Sequence, residues 1–93
     1  MLTKIATLTL KEIDKLDLLI ENLQILQTHT RNEPGCNSFT FYQQVQQPDS
    51  FYLVEQFHDQ AALDNHLELP HTRAFFALGL INVSHITPLT ELQ

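Results

Sequence analysis

The chain has 93 residues, a net charge of −6 and a pI near 5.1, which fits a single domain spanning residues 1–93 that buries about 60–65% of its unfolded surface. Its cations, Lys4, Lys11, Lys15, Arg31 and Arg73, are scattered, and phosphate recognition needs them clustered, so neither nucleic acid nor an anionic membrane surface is an expected partner. Cys36 is the only cysteine, so no disulfide can form within the chain and the cytoplasm is the expected compartment.

Leu2 to Leu10 alternates, with Leu2, Lys4, Ala6, Leu8 and Leu10 on one face and Thr3, Ile5, Thr7 and Thr9 on the other. This predicts a strand with one core face and one Thr-rich face suited to a partner sheet. It lacks the basic start and 7–15-residue apolar run of a signal peptide. Asp14 is the expected N-cap of a first helix, with Asp17 in its first turn. Leu16, Leu19, Ile20, Leu23 and Leu26 form its apolar stripe, and Leu18 and Ile25 widen the arc. Asn32, Pro34 and Gly35 end it.

Phe39, Phe41 and Val45 alternate with Ser38, Thr40, Tyr42 and Gln44 in a second predicted strand. Gln47-Pro48-Asp49-Ser50 is a turn cluster. Phe51–Phe57 is a third strand, apolar on both faces and therefore central. Asp59 caps a second helix that presents Ala62, Leu63, His66 and Leu67 inward. Pro70 interrupts it. The helical pattern resumes over Thr72–Leu80 with Phe75 or Phe76 turned inward, and Ile81–Leu92 reads as a last strand that Pro88 restricts to an edge or bulge. The order β-α-β-β-α-β is that of the ferredoxin-like α+β fold, a four-stranded antiparallel sheet with helices on one face. The other face would be bare in a lone copy, and a second sheet would cover it. No segment approaches the roughly 20 apolar residues of a membrane span.

Three side chains stand out as acid–base candidates. His66 lies on the apolar side of its helix, three residues after Leu63, where partial burial favours the neutral imidazole of a general base; a carbonyl-bonded structural histidine fits the same spacing. His71 follows the Pro70 break and either lines a pocket mouth or caps the next turn. A zinc motif of both histidines is disfavoured, because their spacing is not i, i+4 and Pro70 breaks the helix between them. Glu55 sits between Leu53 and Phe57 on a strand face, so it must be paired, hydrogen-bonded or protonated; it either orients His66, accepts a substrate proton, pairs with Arg31 or Arg73, or marks a strand end where the face becomes wet. Arg31 and Glu33 are expected to form a local ion pair, and Cys36 an inert buried thiol. Phe39, Phe57, Phe75 and Tyr42 belong to the core or wall a pocket for a flat ring.

In these stretches, Arg31-Asn32-Glu33-Pro34-Gly35-Cys36, Val54-Glu55-Gln56-Phe57, Asp59 through Leu63, His66, and Pro70-His71 with Phe75, the chain resembles the antibiotic biosynthesis monooxygenase family, the small dimeric α+β barrels that include quinol monooxygenases. The resemblance implies a homodimer joined through its sheets and a pocket between sheet and helices. It further implies oxidation of a small aromatic, a phenol or quinol, by O2 with no metal or other cofactor. On that reading His66 is the base, Glu55 its orienting partner, and His71 a second donor or acceptor, with Phe57, Phe39, Phe75 and Tyr42 against the substrate. The chain departs from the family in having Phe57 where many relatives carry Trp, and in lacking a Pro-Gly turn at Lys11-Glu12-Ile13. The first strand offers no Asn, and Phe76 stands at the place of a haem ligand, so the haem-degrading branch is disfavoured. Two other readings stay open. One is an isomerase of a phosphorylated dione, which needs a cation near the pocket. The other is a non-catalytic dimer that binds a small hydrophobic ligand.

Overall fold

The computed structural model describes all residues, 1–93. The chain runs through β1 (Leu2–Leu10), a 3-10 turn (Ile13–Lys15), α1 (Leu16–Arg31), β2 (Cys36–Gln43), β3 (Ser50–Phe57), α2 (Gln60–Glu68), α3 (Pro70–Ala77) and β4 (Ile81–Leu89). The four strands form one antiparallel sheet in the order β2-β3-β1-β4. This is the expected ferredoxin-like arrangement, with the two central strands being the two with the most apolar patterns. Pro88 lies on the edge strand β4, opposite Lys4, where a missing N–H costs no ladder bond on the open side. No helix is long and apolar enough to cross a membrane.

The alternation in β1 places Ala6, Leu8 and Leu10 in the core beneath the helices, together with Phe51, Leu53 and Phe57 of β3 and Phe39 of β2. From α1, Leu19, Leu23 and Leu26 pack onto them. Burying each such side chain contributes about 1.5–3 kcal/mol, so this stripe anchors α1. Leu18 and Ile25 are half exposed. Asp14 does not cap α1, because the 3-10 turn intervenes and the helix starts at Leu16 without a side-chain cap. Val45 lies beyond the end of β2 and is fully in solvent.

Two local features set the position of α2. Asp59 accepts a hydrogen bond from the Ala62 N–H at 2.9 Å, the expected cap, which contributes about 1 kcal/mol. Gly35, in the turn after α1, lies against the same helix, and a Cβ there would stand 2.5 Å from Ala62 Cβ. Gly35 O also accepts from the His58 N–H at 2.8 Å. The glycine is thus required for close approach. The left-handed glycine is Gly79, at φ 63°, after α3.

Pro70 divides the second helical stretch. It forces Leu69 into extended backbone (φ −71°, ψ 148°), so Leu69 both ends α2 and starts α3. Phe75 of α3 is buried, and Phe76 is half exposed.

Candidate active site

Glu33 is the hub of the site. It sits in the turn after α1, with its N–H bonded to Thr30 O and its carbonyl accepting from Cys36 N–H. Its carboxylate points back between α2 and α3. Oε2 lies 2.8 Å from His66 Nδ1 and 2.6 Å from His71 Nε2. All three side chains are largely withdrawn from water, Glu33 and His66 almost completely. Thr72 Oγ1 lies 3.3 Å from the same His66 nitrogen, and the His29 ring stacks on His71 at 5.5 Å.

The break at Leu69 makes this convergence possible. On an unbroken helix, residues five apart point about 140° away from each other. The extended residue between α2 and α3 re-aims His71 so that both imidazoles reach one oxygen. The Pro70 interruption, which argued against a zinc motif of the two histidines, is the feature that lets them converge.

A carboxylate only accepts, so its bond to His66 requires the proton on Nδ1. The other ring nitrogen, Nε2, has no hydrogen-bond partner in the chain and is not sealed from the solvent side. The ring rests against Phe57 and Phe39, with centroids 5.1 and 5.4 Å away. Beside it is a cavity of about 70 Å³ walled mainly by Phe39, Phe41, Phe75, Phe76, Leu53 and Leu67, with Glu55 and His66 as its polar groups. Phe76 and Leu67 are half exposed and mark its open side.

Glu55 is in this cavity wall but does not orient His66; Glu33 does. Glu55 pairs in register with Lys4 on one side and Phe39 on the other. Burial pushes its carboxyl up to about 7, partly offset by the charge of Lys4. Neither arginine pairs with it. Arg31 donates to Phe39 O at 2.9 Å and to Thr40 Oγ1 at 3.1 Å, tying α1 to β2. Arg73 pairs with Glu68 on the surface. The local Arg31–Glu33 pair expected from their proximity in sequence is therefore absent. Burial, with Glu33 and Glu55 nearby, pushes the Cys36 thiol up, in line with an unreactive thiol.

Among the aromatic candidates, Phe39 and Phe75 line the cavity. Phe57 is buried beneath His66 and does not reach it. Tyr42 lies on the opposite face of the sheet, in register with Tyr52, and is 56% exposed; its neighbour Phe41 takes the inward position. A second cleft of about 220 Å³ lies between α1 and β2, lined by Ile20, Leu23, Gln24, Gln27, Phe41, Gln43 and Phe51. It holds no titratable group and so no acid–base chemistry.

Residues 1–78 match the sequence profile of the antibiotic biosynthesis monooxygenase family. The uncharacterized Synechocystis protein sll1783 is 36% identical over 62 residues, covering 67% of this chain and 42% of that protein, so the chain matches less than half of that relative's length. The Bacillus subtilis protein YcnE, which carries a provisional monooxygenase name, is 29% identical over 66 residues, covering 71% of this chain and 70% of its own. Among solved structures, PA3566 from Pseudomonas aeruginosa superposes with a TM-score of 0.88 at 33% identity, covering 99% of this chain and 94% of that one. A Deinococcus radiodurans protein, provisionally described as an antibiotic biosynthesis monooxygenase, superposes with a TM-score of 0.83 at 26% identity over 100% and 94% of the two chains. With the profile matched over most of its length and the fold shared, this chain belongs to the antibiotic biosynthesis monooxygenase family.

Proposed function

We propose that this protein oxidises a small single-ring phenol or quinol with O2, using His66 as general base and no resident cofactor. The observation that carries this reading is the division of labour on the His66 ring. Nδ1 is held by the buried Glu33 carboxylate, Nε2 has no hydrogen-bond partner in the chain, and the ring lines an apolar cavity. Glu33 stabilises the imidazolium formed when Nε2 takes a hydroxyl proton. The resulting phenolate is electron-rich and passes an electron to O2, and the aromatic walls keep water from the intermediate. For a hydroquinone, one quinol and one O2 give one hydroxyquinone and one water. Glu55 lines the same cavity, and in this reading it exchanges a proton with the second hydroxyl.

The monooxygenase-named relative YcnE supports the reaction class. The cavity disfavours a phosphorylated dione, because no Lys or Arg lines it. A homodimer is part of the proposal. The outer sheet face carries Ile5, Tyr52 and Val54 without cover, and β4 adds the half-exposed Leu89 beside Thr3 on the same face. A second copy packed sheet to sheet would cover that face.

The test is turnover of a hydroquinone panel with and without oxygen. Consumption of one O2 per quinol in air and no product under argon is the expected result. Product formed without oxygen would point to an isomerase, and tight association without product in either condition to a binding module; each overturns the proposal.

A further inference from the structure

We propose that Glu33, His66 and His71 also form a three-ligand site for a divalent metal ion of the zinc class. Their donor atoms, Glu33 Oε2, His66 Nδ1 and His71 Nε2, all lie within 4.8 Å of one another. Two imidazoles and one carboxylate are a donor set that suits zinc and leave a fourth position for water. Bonds of about 2.0–2.2 Å place neighbouring donors roughly 3.0–3.6 Å apart. The two contacts to Oε2 are now 2.8 and 2.6 Å, so the carboxylate needs to draw back by about 1 Å or less, and the two ring nitrogens, within 4.8 Å of each other, need to settle at the same spacing. Thr72 Oγ1, 3.3 Å from His66 Nδ1, gives up that contact when the nitrogen's lone pair turns to the ion.

The ion has a way in. His71 and His29 border a groove of about 340 Å³ between α1 and α3. Ligation needs no proton to leave either neutral ring. Each keeps its one proton but carries it on the other nitrogen, so His66 moves its proton from Nδ1 to Nε2.

That move has a consequence, which rests on the proposed role of His66. With Nδ1 on the metal, Nε2 is an N–H donor with no lone pair. The metal-loaded chain cannot take a proton from a bound phenol, so metal occupancy switches the base off.

Equilibrium dialysis of the full chain against Zn2+, repeated with Co2+, tests the site without reference to turnover. One ion per chain is expected, with Kd raised at least tenfold in both Glu33→Gln and His71→Ala and unchanged in His29→Ala. Absence of stoichiometric binding, or equal Kd in the folded Glu33→Gln and His71→Ala variants, overturns the site. Imidazole 15N NMR reads the switch. The His66 proton should be on Nδ1 without zinc and on Nε2 with it; a proton that stays on Nδ1 in the zinc-loaded chain overturns the switch. Neither readout depends on quinol oxidation, so failure here leaves the oxidation proposal standing, and failure of oxidation leaves the site standing.

Discussion

Glu33 and His66 are 33 residues apart in sequence and joined by one 2.8 Å contact at the centre of the site. That contact decides which imidazole nitrogen is free for chemistry. Glu33→Gln keeps the volume but removes the negative charge that stabilises the imidazolium. Quinol turnover should fall by about 10²–10⁴-fold, with the thermal transition still cooperative. A rate within threefold of the parent would show that Glu33 is structural only.

Gly35 and Ala62 set the height of α2 and hence of His66. Gly35→Ala places a methyl group 2.5 Å from Ala62 Cβ, where both neighbours are tied to backbone. The expected cost is about 1–3 kcal/mol in urea unfolding, together with lower turnover. Unaltered stability would mean that the turn and α2 separate freely and that the contact does not position the site.

Glu55 makes stability pH-dependent. Its carboxyl is raised from 4.5 to about 7 in the folded chain, so its contribution is fully present below pH 4.5 and is lost as pH rises through 7. The wild type should therefore lose stability between pH 5 and 8.5 relative to Glu55→Gln, by on the order of 1–3 kcal/mol. Urea melts of both proteins at the two pH values check this. Parallel changes in the two proteins would remove Glu55 as the source.

Thr30 is fully buried, and its hydroxyl is the one buried side-chain polar atom without a hydrogen-bond partner in the chain. Thr30→Val keeps the shape and removes the unmet group. A gain of about 1 kcal/mol is expected. A loss of stability would show that the hydroxyl has a bond partner in solution.

Sedimentation equilibrium should give twice the chain mass of 10.7 kDa. Val54→Asp, on the sheet face away from the helices, should shift the wild-type dimer to monomer while leaving the fold intact. A wild-type monomer at micromolar concentration would contradict the proposed dimer.

The fold was legible because its signals are periodic. The alternation in Leu2–Leu10 and Phe51–Phe57 and the stripe through Leu19, Leu23 and Leu26 each state which face is buried. His66 was legible for the same reason, one turn after Leu63. Glu33 was not, since it lies in a turn, where no period applies, and its partners are 33 and 38 positions away. One signal was available: an acid just past the C-terminus of α1 faces the negative end of the helix dipole, so it needed a compensating partner from elsewhere. The convergence of His66 and His71 was hidden for a different reason, since the effect of Pro70 depends on the direction of the chain after Leu69. Tyr42 was misplaced as a substrate contact because Phe41 and Tyr42 are both aromatic, and the strand alternation that puts Phe41 inward was the better guide.

The central claim is that the free Nε2 of His66 takes the substrate proton. Oxygen uptake by wild type and His66→Ala with the hydroquinone panel, on samples matched by circular dichroism and sedimentation, tests it most directly. The account predicts at least a tenfold fall in the variant, and unchanged uptake by a folded variant would contradict it.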